Sequence, residues 1–460
     1  MKPEPIEYLE RLSTFGAELD FLRLPAEVRE QASWILADTI AAVVAGAAEP
    51  EMRALSARLC AQARGSAVLP GRGLATAPLT AALLNGTAGT FLEMDEGNRY
   101  SRGHPAIHVI PAALALAQSR GRDTRHFMSA LVSGYEIGSR LGAAAQLRGS
   151  MHPHGTWGTI GAAAACARLV GHDAAAFREV LNISASLTVA TSKRTMLEGG
   201  LVRNTYAGLS NHNGVLALTL GECGFSGERD GPGSLLGSVV SERFDREIAI
   251  RGLGTEWHVM QNYFKLHSCC RYNHGALDAL DRIAQHAPLP AAEDIASIEV
   301  RSYHLAAELN DPDPRNTLAA KFSVPFALAT RIIHGHSRLA AFTWEAVRDE
   351  RVLALAHRVR ISEDRSMSAR LPAERPAHVA LHLRDGRILE AEVGVNRGDD
   401  ASPYSPGELS MKFMDLCGRV WPASHCERLL EATLGLGRGS SSLDDWLPLL
   451  AAPNRNGDAA

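Results

Sequence analysis

Aromatic residues are scarce in this chain, at 6%, so a β-sandwich built on large side chains is not expected. Positive charge has no surplus either: 47 Lys and Arg stand against 51 Asp and Glu, a net charge of -4. Nucleic-acid binding would leave a clearly basic footprint, so it is not expected. The seven cysteines are odd in number and scattered, at Cys60, Cys166, Cys223, Cys269, Cys270, Cys417 and Cys426. No disulfide framework emerges, and reduced thiols in a cytosol are expected. No apolar run is long enough to span a bilayer; the stretch 36–48 is short and contains Asp38. Residues 1–12 carry Glu4, Glu7, Glu10 and Arg11 and no apolar targeting core. A cytoplasmic protein without membrane contact is expected. There is no GxGxxG before a helix, no GxxxxGK[ST] and no GxSxG, so nucleotide-binding and α/β-hydrolase readings have no support. With 46% hydrophobic and 21% charged residues, the chain is not a disordered one.

What is present is helix after helix. Apolar residues recur at helical spacing over 26–46, 80–92, 105–119, 123–141, 155–170, 174–188 and 206–222. Gly46 stands where a C-cap would fall, and Asp123 and Asp173 are candidate N-caps. The small-residue run Gly158–Cys166 predicts a buried, closely approached helix. The character changes near Phe264. A helix over 275–285 is followed by a Pro-rich link at 287–292 and a strand-period segment at 295–303. A helix is predicted over 318–333. Segments 377–383 and 387–393 alternate around Asp385-Gly386, a hairpin signal. A polar linker at 398–407 leads to helices at 409–417 and 425–434, and a disordered tail is expected at 453–460. The expected fold is mainly α: an all-helical body over 1–265, with 401–452 returning to it, and a smaller inserted α+β lid domain over 266–400.

Three clusters of chemistry stand out. Arg102-Gly-His104-Pro105 and Met151-His152-Pro153-His154 both precede prolines placed to open helices. A histidine at a helix N-terminus stays neutral more easily, which suits a general base, and anions collect beside it. Capping or surface histidines are the plainer alternative. Glu93, Asp95 and Glu96 form an acidic cluster, with no His or Cys at metal-ligand spacing inside it, so no metal is assigned. Residues 264–274 concentrate Lys265, His267, Cys269, Cys270, Arg271, Tyr272 and His274. Adjacent cysteines chelate poorly, and a carboxylate-holding Lys265 is a better reading than zinc or a cysteine nucleophile. Lys193, Arg203 and Tyr206 add cationic and phenolic groups suited to carboxylates.

Taken in order, these segments resemble the MmgE/PrpD family. Ala81–Asp95 looks like its "LNG…DFDD" helix, and Arg102-Gly-His-Pro with Val109–Ala115 looks like "HPS…VLPAALA". His152-Pro-His-Gly-Thr156 followed by Gly161–Ala165 looks like "HPTGT…GAAAAA"; residues 203–217 sit at "K-x-L-H-x-G…NGVLA". Lys265–His274 looks like "KPYPSC…TH", and Ala320–Phe326 is similar to "AKFSLPY". The resemblance implies a homodimer, a site between body and lid, and no cofactor. It marks His104, His152, Lys265 and Asp95 as catalytic candidates. Glu93, Arg102, Arg203, Tyr206, Lys193 and His267 are candidates for binding substrate. The chain departs from the family pattern at Glu93 and Gly97 (for "DFDDT"), at Arg203 for lysine, at Tyr206 for histidine and at Phe326 for tyrosine.

The expected activity is cofactor-free proton abstraction next to a carboxylate of a small di- or tricarboxylic acid. A hydro-lyase like 2-methylcitrate dehydratase leads. Epimerisation of a dicarboxylate, as by iminodisuccinate epimerase, and a non-catalytic carboxylate-binding homologue are the alternatives. A thiol enzyme using Cys269 or Cys270 is a third reading.

Overall fold

A computed structural model describes residues 6–453. The expected tail at 453–460 falls outside them except for Pro453. Helix takes 58% of the chain and strand 10%, so the mainly α expectation holds.

Helices Ala26–Ala47, Pro78–Thr90, Pro105–Ser119, Thr124–Ala144, Trp157–Val170 and Thr205–Glu222 pack on one another. Asp123 and Asp173 cap their helices, accepting from the His126 and Ala176 amides. Gly46 does not end its helix as expected. It lies inside it, where an added Cβ would come within 1.9 Å of the Ala88 carbonyl oxygen. The close approach of two helix backbones, not a left-handed turn, demands glycine there. Helix Trp157–Val170 is buried nearly throughout, as its small residues predict.

Two apolar cores are present. The larger runs through these helices and takes in Leu409, Phe413, Leu429 and Trp446 from the C-terminal helices, with Trp421 from the turn between two of them. The second is built from residues 269–383 together with Met196. It lies around a four-stranded sheet, ordered 388–393, 377–383, 295–302 and 359–363. The first two pairings are antiparallel and the last is parallel. Gly386, at φ 89°, closes the predicted hairpin. The single helix expected over 318–333 is two, Thr317–Lys321 and Val324–His334. Ser323 caps the second by accepting from the Phe326 amide, and Pro325 sits in its first turn. Among the described residues no single helix is long and apolar enough to cross a membrane.

Candidate active site

The segment joining helices Pro78–Thr90 and Pro105–Ser119 carries the acidic cluster and His104. Two of its non-glycine residues, Glu93 and Arg102, sit at positive φ, 54° and 55°. Such backbone persists only where the surroundings hold it. A two-stranded ribbon pairing Gly97–Asn98 with Asn262–Tyr263 ties this segment to the chain just before Lys265. Tyr263 explains the glycine at 97: its hydroxyl oxygen lies 2.3 Å from where a Cβ would stand.

His104 is the N-cap residue of its helix, and Pro105 opens it as expected. Its Nδ1 lies 2.7 Å from the Glu96 carbonyl oxygen and 3.0 Å from Asp95 Oδ2. Both are acceptors, so Nδ1 carries the proton and Nε2 keeps its lone pair. Asp95 Oδ1 lies 3.4 Å from Lys265 Nζ. Burial alone would raise the Asp95 pKa, but His104 and Lys265 outweigh it and hold the carboxyl well below its usual range. Burial would likewise neutralise Lys265; Asp95 and Glu93 keep it charged.

Arg203 reaches the same group from the turn Leu201–Asn204, and its Nη1 pairs with Glu93 Oε1. Two departures from the family pattern thus meet: the longer carboxylate is matched by a guanidinium. Arg203 Nε also donates to His152 Nε2 at 3.2 Å, while the His154 amide points at His152 Nδ1 at 3.1 Å. A neutral imidazole has one lone pair, so the two donors compete for it. Burial and then Arg203 push the His152 pKa well below its usual value. His152 is not at a helix N-terminus as expected, because its helix begins only at Trp157. Its neutrality comes from burial and a neighbouring cation instead.

A cavity of about 490 Å³ opens between residues of the two cores. Glu93, Arg102, His104, His152, Lys193 and Arg203 line it. Lys193 pairs with Glu308. Asp95 and Lys265 stand one contact behind the lining, on His104 and Glu93. Tyr206 also stands behind it, its ring 5.5 Å from that of His152. His267 is elsewhere: Ser337 and Asp278 hold its two nitrogens, and it does not line the cavity.

The sequence did not single out His154, Tyr263 or Arg375, all of which line the cavity. His154 sits between the rings of His104, His108 and His152, at 5.0, 4.8 and 4.8 Å. Its place in the His152-Pro-His154 motif was a usable signal; Arg375 lies in no motif. Cys270 lines the cavity, but burial and Glu93 push its thiol up to about 11, which disfavours a thiolate nucleophile. Cys269 is fully buried. Among the described residues no group of three His, Cys, Asp or Glu side chains converges as metal ligands would.

A helical body, a sheet-centred second core and a histidine- and arginine-lined cavity between them define the class. The MmgE/PrpD N-terminal domain model matches residues 10–231 and the MmgE/PrpD C-terminal domain model matches 267–436. The chain belongs to the MmgE/PrpD family. It is similar to a cis-aconitate decarboxylase of Aspergillus terreus, at 24% identity over 94% of this chain and 92% of that protein. It is also similar to the cis-aconitate decarboxylase-like protein oryM of Aspergillus oryzae, at 23% identity over 96% of each chain.

Proposed function

We propose that this protein is a lyase acting on a small di- or tricarboxylic acid, and that His104 removes a proton from the carbon next to a carboxylate. The observation that carries this reading is the Asp95–His104 pair. The Glu96 carbonyl accepts from Nδ1 and fixes the tautomer, the buried Asp95 carboxylate lies beside the same nitrogen, and among the described residues Nε2 has no partner while the ring lines the cavity. Such an arrangement orients the base and stabilises the imidazolium that forms.

Removing a proton beside a carboxylate builds negative charge on the carboxylate oxygens. Arg203, with Lys265 behind it, supplies positive charge in a water-poor setting where it counts most. An acceptor inserted between Arg203 and His152 would also end the competition of Arg203 with the His154 amide for the one lone pair of His152. A substrate carboxylate is such an acceptor.

Loss of water from the neighbouring carbon is the leading outcome, with no cofactor required. Return of the proton on the opposite face, an epimerisation, begins with the same step. Decarboxylation is supported by the activity for which the Aspergillus relatives are named. The Glu93–Arg203 and Gly97–Tyr263 matches count against a non-catalytic homologue, because departures at those positions are accommodated rather than left as damage. We further propose that the sheet-centred region acts as a lid and that the protein works as a cytoplasmic homodimer, as the family resemblance implies.

The test is product analysis by proton NMR and CO₂ release over hydroxy-, amino- and unsaturated di- and tricarboxylates. A new vinyl signal without CO₂ supports the hydro-lyase, and CO₂ release supports the decarboxylase. Absence of turnover by folded enzyme across the panel would overturn the enzymatic reading.

A further inference from the structure

The cavity's cations are not all paired. Arg203 is matched by Glu93 and Lys193 by Glu308. Arg271 lies 2.8 Å from Asp399, and Arg99 lies 3.0 Å from Asp400. Arg148 donates to the Val239 and Ser238 carbonyls. Arg102 has no partner among the described residues, but it is exposed and open to solvent. Arg375 is the exception, because it is only 4% exposed. Its Nη2 makes one long contact, 3.4 Å, to the Arg99 carbonyl, and among the described residues its Nη1 has no partner. Among the described residues no carboxylate is in ion-pair range of it. A guanidinium does not give up its proton, so a full charge is buried here with no carboxylate in contact among the described residues, only Tyr263, Tyr303, Tyr272 and Asp399 acting on it from farther off, an arrangement that costs free energy.

The mount is rigid. The Arg375 amide donates to the Gly394 carbonyl at 3.2 Å, and its own carbonyl accepts from Asn396 at 3.2 Å. The guanidinium carbon lies over the rings of Tyr263 and Tyr272, at 5.3 and 5.8 Å. These flat walls leave its planar fork to face a planar anion, as bidentate carboxylate binding requires. Tyr263 also stands next to the base, its ring 6.3 Å from that of His104. A short acid lying along Tyr263 would thus have one end at His104 and the other at Arg375.

We propose that Arg375 binds the substrate carboxylate farthest from the reacting carbon, which makes the enzyme selective for acids bearing at least two carboxylates. The inference rests on the function proposed above. It also places the two ends of the substrate on different cores, because Arg375 precedes strand Ala377–Leu383 whereas His104 belongs to the helical body.

The test is calorimetric titration of the full-length protein with succinate, glutarate and tricarballylate, and with the monoamides of succinate and glutarate. Wild type is expected to prefer each diacid to its monoamide by about 10- to 100-fold, the range for a hydrogen bond to a charged partner. Arg375→Met removes that preference while leaving monoamide binding in place, and Arg375→Lys keeps part of it. A merely structural arginine would weaken diacid and monoamide alike. Thermal melts identify any variant that does not fold, and Arg375→Lys keeps the question open to test if Arg375→Met does not. A diacid preference retained in a folded variant overturns the assignment of Arg375. Equal binding of diacid and monoamide by wild type overturns it as well, without touching the proposed chemistry. Wild type that binds no carboxylate at all overturns both.

Discussion

His104 turns Nδ1 to the Glu96 carbonyl oxygen, 2.7 Å away, with Asp95 Oδ2 3.0 Å from the same nitrogen, and among the described residues Nε2 has no partner in the cavity wall. The carboxylate is kept ionised by Lys265, 3.4 Å from its other oxygen. The proposed base thus has a buried anion beside it, and that anion a buried cation. His104→Ala is expected to lower kcat by about 10²- to 10⁴-fold with little change in melting temperature. Asp95→Asn should cost less, because the Glu96 carbonyl still holds the tautomer and only the carboxylate's support of the imidazolium is lost. Steady-state kinetics beside thermal melts check both.

Glu93 and Arg203 are each about 2% exposed and pair with each other. Removing Glu93 alone leaves the Arg203 guanidinium buried beside Lys265 with one anion fewer. Glu93→Ala is expected to cost about 3–5 kcal/mol of stability. Replacing both, as Glu93→Met with Arg203→Met, should cost less than the two single changes added together. Urea denaturation of the four proteins in the cycle measures the coupling.

Glu96 titrates with the fold. Burial raises its pKa from 4.5 to about 8, against the opposing hydrogen bond from the Ala106 amide. A carboxyl whose folded pKa exceeds its unfolded one binds more protons when folded. Its stabilising contribution is full below about pH 4.5 and is lost as pH rises toward 8. Glu96→Gln, neutral at every pH, should flatten that part of the stability profile. Melting temperatures from pH 5 to 8 test this, and parallel curves for variant and wild type would contradict it.

Gly97 and Tyr263 share one space. Gly97→Ala drives a methyl group into the Tyr263 hydroxyl, 2.3 Å away. A loss of about 1–3 kcal/mol is expected. Tyr263→Phe in the same chain should recover little of it, because the ring carbon that bore the hydroxyl stays 2.4 Å from the same point, as melts of the single and double variants would show.

The cysteines should be dispensable. The thiol of Cys270 titrates near 11, so Cys270→Ser is expected to keep activity within a few-fold of wild type. Slow iodoacetamide inactivation at neutral pH would agree. Rapid inactivation with burst kinetics would revive the thiol reading.

The helices were legible because a 3.6-residue period and Asp caps are local signals; Pro105–Ser119 falls where the sequence placed it. Gly46 and the break at Phe322–Ser323 were not, because packing against Ala88 and the Ser323 cap decide them. The ordered motifs brought His104, His152, Glu93 and Arg203 to one cavity. They could not place His267, whose position depends on Ser337, 70 residues away in the chain. Arg375 was invisible for the same reason: nothing local marks a guanidinium whose meaning lies in the carboxylate it lacks.

The most direct test of the central claim is proton NMR in D₂O, comparing wild type with His104→Ala on the di- and tricarboxylates. The account predicts deuterium entering at the carbon next to a carboxylate, or a new vinyl signal, with wild type alone. Equal exchange or turnover by a folded His104→Ala variant would contradict His104 as the base.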